Sequence, residues 1–404
     1  MSWLALVESN TTGSGRLFCR AARASGMRPV VLTTDPDRYP YLLTDALDSL
    51  VVDNMTVDTV VDVCERLVDD GLAGVTSSSE YFVATAAAVA EKLGLPGPDP
   101  DALDRCRDKG CQRLALAGAG LPVPEHRVAR SAAAATAAAH QLGWPVIVKP
   151  VSGSGSVGVR LCRDSAEVRR WAGDLLGAGV NERGLPVDAA VLVERYVDGP
   201  EFSVETFDRT VIEVVGKHLG NPPYFVETGH DVPAAVSAER REELARVTEA
   251  ALDALGLSWG AAHTELRYSD EGPVIIEVNP RLAGGMIPQV IQEARGIDLI
   301  GSVIARAAGL APPEPGPGAG AGAIRFVLAP GTGSVTSVPD TAILQDAPGV
   351  RAAEISVVPG DRVSITHSFL DRVGYALAVG DDIAAAARRA AAAARRLRIE
   401  VGDE

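Results

Sequence analysis

Three features of this 404-residue chain predict an α/β protein with a parallel-sheet N-terminal domain, a larger antiparallel-sheet domain and a smaller C-terminal α+β domain. Strand-like and helix-like segments alternate up to Pro96, which implies a small parallel sheet. After Val146 the strands follow one another closely, as antiparallel sheets allow. At Pro312-Pro313-Glu314-Pro315-Gly316-Pro317-Gly318 the chain cannot donate regular hydrogen bonds, and it runs on in alternating Gly and Ala to about Gly322, as a linker does. The domains therefore fall at residues 1–100, 101–312 and 323–404.

In order, residues 3–8 form a short apolar run, followed by Asn10-Thr11-Thr12-Gly13-Ser14-Gly15 and a helix-like stretch from 16 to 25. Strands follow at 26–32, 49–53 and 74–76, then an alanine-rich helix at 81–93, and Pro96, Pro98 and Pro100 end the unit. Residues 132–139 are a run of alanines broken by one threonine, and alanine is the strongest helix former. His140-Gln141-Leu142-Gly143 supplies the stop. Strands are expected at 146–149, 159–162, 191–196, 202–207 and 211–217, a helix at 239–255 ending at Gly256, and a last helix at 382–397.

Composition narrows the class of function. A chain that is 47% hydrophobic and 23% charged folds as a globular protein. A net charge of -15 argues against a nucleic-acid partner, which needs a basic face, but is compatible with magnesium-chelated nucleotide. Five cysteines without a C-x-x-C pair favour reduced thiols over disulfides or zinc. No apolar run approaches the roughly 18 residues of a membrane span, and the start lacks a basic segment, so a cytoplasmic protein is expected.

The chemistry concentrates in Ala261-Ala262-His263-Thr264-Glu265-Leu266-Arg267 and Pro273-Val274-Ile275-Ile276-Glu277-Val278-Asn279-Pro280-Arg281. Strand alternation puts Glu265 on a face with His263 and Arg267. It puts Glu277 with Asn279, leaving Val274, Ile276 and Val278 opposite. Two carboxylates and an amide oxygen beside an arginine are costly to bury without a cation, and an all-oxygen set suits Mg²⁺ held with nucleotide phosphates. Lys149-Pro150-Val151-Ser152-Gly153-Ser154-Gly155-Ser156-Val157-Gly158 carries the G-x-G-x-x-G spacing but leads into a strand. It therefore fits a loop between antiparallel strands that folds over phosphates, with Lys149 as charge partner, better than a dinucleotide turn. Glu194 ends a strand and Glu201 follows a Gly-Pro turn, which suits either an adenine and ribose contact or ordinary solvated acids.

In this order, Lys109, Lys149 with its Gly/Ser loop, Glu194-Arg195-Tyr196-Val197-Asp198-Gly199-Pro200-Glu201, Glu265 and Glu277-Val278-Asn279-Pro280-Arg281 resemble the ATP-grasp superfamily over about residues 1–310. Phe225-Val226-Glu227-Thr228-Gly229-His230, His263-Thr264-Glu265 and Arg281-Leu282-Ala283-Gly284-Gly285 look most like its carboxylate–amine ligases that join amino acids, including those of peptide-antibiotic pathways. The resemblance implies a lid at about 123–195 and ATP contacts from Lys109, Lys149, Ser152, Gly153 and Ser156. It implies an adenine hinge at Glu194 and Val197, and Glu201 on the ribose. Glu265 and Glu277 would bridge two Mg²⁺ ions, Mn²⁺ being an acceptable substitute, with Asn279 completing one. Arg281 would grip the carboxylate and the transferred phosphoryl group, and Glu227, His230, Gly284 and Gly285 would line the substrate pocket. Arg281, Lys149 and His230 are thus the expected catalytic groups.

The expected partners are ATP, a small carboxylate and an amine, with a homodimer left open. Transfer to a carrier-protein thiol, or action on a purine or bicarbonate, is the alternative. An NAD-dependent oxidoreductase is disfavoured because Phe18 stands where the third glycine of Gly13-x-Gly15 would fall. A non-catalytic nucleotide sensor would be expected to have lost a metal ligand, and Glu265, Glu277 and Asn279 are all present.

Overall fold

The computed structural model describes residues 1–10, 14–69 and 71–402, so Thr11, Thr12 and Gly13 of the first turn lie outside the described residues. The N-terminal strands are all parallel, in the spatial order Asp48–Val51, Arg28–Thr33, Trp3–Val7, Leu72–Thr76. Their apolar residues, such as Val7, Val30 and Leu32, pack with Val60 and Cys64 of the helix Val57–Val68 and Val89 of the helix Val83–Lys92. Strand order reverses beside Trp3–Val7, and at such a switch the carboxyl ends of the strands open a crevice. Glu8 and the Ser77–Glu80 turn emerge there. All five cysteines are free thiols, four of them buried.

A second, antiparallel sheet runs His126–Ala129, Val191–Arg195, Val146–Pro150, Arg160–Cys162. The helices Ala132–Leu142 and Ser165–Gly177 cover one face. The alanine run is a helix because Ser131 accepts from the Ala134 N–H at its start and Gly143, at φ 81°, ends it. The glycine-rich segment joins Val146–Pro150 to Arg160–Cys162, which are antiparallel neighbours, as its sequence context predicts.

The largest sheet has eight strands, in the order Gly272–Asn279, Ala261–Ser269, Glu201–Phe207, Thr210–Leu219, Glu227–Val232, Ala321–Leu328, Arg372–Gly380, Val350–Ile355. The helix Ala238–Leu255 packs beneath it and ends in left-handed Gly256. Residues 312–319 form no helix or strand, yet Gly316 N donates to Gly296 O and Ala319 N to Glu293 O, so the linker lies along the end of the helix Ile287–Arg295. Beyond it, Ala321–Leu328 pairs with Glu227–Val232, and the C-terminal strands thereby continue the central sheet. The helix Ile383–Arg396 and the small sheet Arg362–Val363, Gly333–Ser337, Glu400–Gly402 complete the fold.

One expectation is corrected. Simple alternation puts Ile276 on the core face with Val274 and Val278, but the register shifts between Glu265 and Leu266, pairing Glu265 with Glu277 and Leu266 with Ile275. This bulge sends Ile275 into the core and leaves Ile276 lining the cleft beside Glu277.

Candidate active site

The floor of the cleft is one face of adjacent strands in the central sheet. Glu265 stands opposite Glu277 and His263 opposite Asn279. Arg267 and Lys217 both stand opposite Glu201, one on each side. Lys217 is the buried hub: its Nζ lies 2.9 Å from Glu201, 2.8 Å from Glu227 and 2.7 Å from Glu265. Burial alone would discharge this ammonium, but the three carboxylates hold its pKa well above the ordinary value. His263 follows the same logic, since burial opposes its charge while Glu205 at 2.7 Å and Glu265 at 3.1 Å lift its pKa to about 9. Glu265 in turn is held well below the usual carboxylate range, burial notwithstanding, by Lys217 and His263.

Over this floor lies an open cleft lined by residues of both antiparallel sheets. Lys109, Lys149, Ser152, Gly153 and Ser156 line its roof. Lys109 Nζ is 3.1 Å from Glu277 and donates to Gly153 O at 2.7 Å, so it ties the loop to the floor. Gly153, Gly155, Ser156 and Gly158 all have positive φ, a run that accounts for the glycines. Lys149 Nζ is 2.6 Å from Glu194, whose other oxygen accepts from Arg113 Nε at 2.6 Å. Burial resists ionisation of Glu194, yet Arg113 and Lys149 hold its pKa down at about 2.

The Glu194 carboxylate is thus engaged with two cations. Val197 and Glu201 line the cleft beyond it, and Arg267 donates to Val197 O and to Glu201, both at 3.0 Å. The Arg267 guanidinium also lies over the rings of Tyr196 and Phe225. Arg113 is absent from the sequence-based set. It is fully buried on a helix, with no motif to mark it.

The far wall draws on other parts of the chain. Arg281 lines the cleft, and its guanidinium pairs with Glu80 from the N-terminal domain. The Asn279 amide nitrogen, oriented to satisfy its neighbours, donates to Glu277 and Glu80, each at 3.0 Å. Glu227 pairs with Lys217 and with Arg372 from the C-terminal strand Arg372–Gly380. Burial notwithstanding, Lys217 and Arg372 keep it ionised.

His230 is fully buried, 3.6 Å from Glu227, and neither ring nitrogen has a hydrogen-bond partner. Burial outweighs the Glu227 charge and drives its pKa to about 3, leaving a neutral imidazole. Gly285 presses against it: a Cβ there would stand 2.6 Å from Nε2, and its φ is +59°. Gly284 has open space where a side chain would project. Glu80 and Arg372 are the residues that sequence reasoning missed on this wall, since each reaches the site only through tertiary contact.

The donor set of Glu265, Glu277 and Asn279 is all oxygen and opens onto the cleft. Among the described residues no three His, Cys, Asp or Glu side chains form a closed metal cluster. The oxygen chemistry of Glu265, Glu277 and Asn279 is nonetheless of the kind that suits a hard divalent cation completing its shell with phosphate oxygens.

Comparison with known proteins gives the family. Family models match as an ATP-grasp N-terminal domain over residues 19–97, an ATP-grasp domain over 142–289 and an L-amino acid ligase C-terminal domain 2 over 325–402. The chain belongs to the ATP-grasp family, in its carboxylate–amine ligase branch. An uncharacterized protein of Sinorhizobium fredii, y4rH, is 37% identical over 377 residues, covering 93% of this chain and 78% of that one. A D-alanine--D-alanine ligase of Pseudomonas fluorescens is 27% identical over 283 residues, 64% of this chain and 82% of that protein. The crystal structure of an L-amino acid ligase from Bacillus licheniformis superimposes with a TM-score of 0.82 at 21% identity, over 100% of this chain and 99% of the other, which shows the shared fold. This ATP-grasp chain is an enzyme of a fold that uses ATP and Mg²⁺. No helix among the described residues is long and apolar enough to cross a membrane.

Proposed function

We propose that this enzyme activates the carboxylate of an amino acid as an acyl phosphate and joins it to an amine, releasing ADP and phosphate. One observation carries this proposal: the Glu265–Glu277 pair, the lysines beneath the glycine-rich loop and the Arg281 guanidinium all face one cleft. A carboxylate is a poor acyl donor. When its oxygen attacks the γ-phosphorus of ATP, the bond from that phosphorus to the β-phosphate oxygen breaks and ADP departs. The amine nitrogen then attacks the acyl carbon, the carbon–oxygen bond to phosphate breaks, and the nitrogen passes its proton to the departing phosphate.

The residues suit these steps without a nucleophilic side chain, because the demand is to place and neutralise spreading negative charge. Lys109 and Lys149 approach the phosphates from the roof, with Ser152, Gly153 and Ser156 offering a close backbone. Two Mg²⁺ ions bound at Glu265, Glu277 and Asn279 would add charge neutralisation on the phosphates. Arg281 offers a planar fork to the acid and the transferring group. His230, a neutral imidazole buried behind Glu227 with both ring nitrogens unpartnered, would support the wall from beneath the cleft surface, while ionised Glu227, which lines the cleft, would attract an ammonium group. Gly284 leaves open space beside the wall, and Gly285 admits the close approach of His230. Val197 and Glu201 flank the nucleoside end.

Screening pairs of amino acids for ADP and phosphate release tests the proposal, with hydroxylamine expected to trap the first substrate as a hydroxamate. Stoichiometric AMP and pyrophosphate would sink the mechanism.

A further inference from the structure

The loop at residues 366–372 of the C-terminal domain touches both the roof and the far wall of the cleft. Its Phe369 N–H donates to Gly155 O at 3.1 Å, at the tip of the glycine-rich loop. The Phe369 ring occupies the space above Gly155: a Cβ on that glycine would lie 2.2 Å from the ring. Three residues on, Arg372 Nε donates to Glu227 O at 3.2 Å and its guanidinium pairs with the Glu227 carboxylate.

The loop is braced for such a task. Buried Asp371 accepts from Thr366 N at 2.7 Å and His367 N at 2.9 Å, while Ser368 Oγ accepts from Leu370 N at 3.2 Å. His367 holds a left-handed φ of 57°, and its ring stacks on Tyr224 with centroids 3.8 Å apart. Tyr224 meets Trp171 edge-on, and Trp171 Nε1 donates to Gly158 O at 2.9 Å, at the other end of the glycine-rich loop.

We propose that Phe369 is a positioning residue that holds the tip of the glycine-rich loop in place for the phosphates of ATP. This rests on assigning residues 152–158 to phosphate binding. A segment with three glycines at positive φ has many conformations to lose when it orders around a ligand. A braced aromatic ring and N–H donor from another domain remove much of that freedom beforehand, so nucleotide meets a loop already placed. Glycine at position 155 is what admits the ring so close.

The test uses the full chain, the non-hydrolysable analogue AMP-PNP with Mg²⁺, and hydrogen exchange of residues 152–158 without nucleotide. Phe369→Ala should weaken AMP-PNP binding by about tenfold, the scale of freeing one loop residue. It should speed exchange at 152–158 while leaving kcat at saturating ATP within about twofold. Phe369→Tyr keeps the ring and should restore both, and Leu370→Ala, an exposed neighbour, should change neither. Unchanged binding and exchange in Phe369→Ala would overturn the proposal. So would faster exchange across the whole C-terminal sheet, which would make the ring a core residue only. If the unaltered protein bound no nucleotide, the ligase assignment itself would fall and this proposal with it.

Discussion

The floor and the far wall of the cleft are built in opposite ways. Glu265, Glu277 and Asn279 sit on two hydrogen-bonded strands of one sheet, with Lys217 and His263 locked to carboxylates within that sheet. The wall is assembled from three domains: Arg281 leans on Glu80 from the N-terminal domain, and Glu227 on Arg372 from the C-terminal one. A floor fixed by strand register keeps its charges in place whatever the substrate. A wall whose charges depend on docked domains is, on the function proposed above, where substrates of different shape would be told apart.

The largest effect should come from the floor. Glu277→Gln keeps the shape but removes a charge from the proposed metal and phosphate site, and turnover measured by ADP release should fall about a thousandfold with the melting temperature nearly unchanged. Near-normal activity at low Mg²⁺ would remove Glu277 from the ligand set. Arg281→Lys keeps charge but loses the planar fork, and kcat/KM for the acid should drop about a hundredfold while ATP affinity without acid stays constant. If ATP affinity fell as far, Arg281 would belong functionally to the floor.

Glu80→Ala probes the wall from the next domain. With its carboxylate partner gone, Arg281 is free to wander, and KM for the acid should rise about tenfold, the loss of one charge-assisted hydrogen bond. An unchanged KM would mean that Arg281 is held by Leu282 O and the floor alone.

The smallest effect concerns pH. His263 has a folded pKa near 9 against an ordinary 6.5, so the stability it contributes is complete below about 6.5 and is lost as pH rises through about 9. Melting temperature should therefore decline by about 2 °C more between pH 7 and 9.5 in the unaltered protein than in His263→Gln. Equal declines would show that the His263 charge contributes nothing to the floor.

The same contrast explains what the sequence disclosed. Glu265, Glu277 and Asn279 were legible because strand alternation within fifteen residues places them, and the glycine-rich loop because φ-permissive residues and a lysine lie side by side. Alternation failed at Ile276, since a bulge leaves no mark in a polar and apolar pattern. Arg113 reaches Glu194 across 81 residues, Arg372 reaches Glu227 across 145, and Arg281 reaches Glu80 across 201. Contacts at such separations depend on tertiary packing within and between domains, which no local spacing encodes. The Pro/Gly segment was legible as a linker. That the strand after it returns to pair with Glu227–Val232 was not, because a strand's sequence does not name its neighbour.

That returning strand limits how the protein can be cut or recombined. Ending the chain at the linker would strip Ala321–Leu328 from the sheet and bare the backbone of Glu227–Val232, the strand that carries Glu227 and His230. An uncovered edge is a template for pairing with other chains, so a truncated protein would aggregate through its own substrate wall. Exchanging C-terminal segments between relatives is therefore an exchange of sheet partners, and only a graft that brings a compatible edge strand would stay monodisperse.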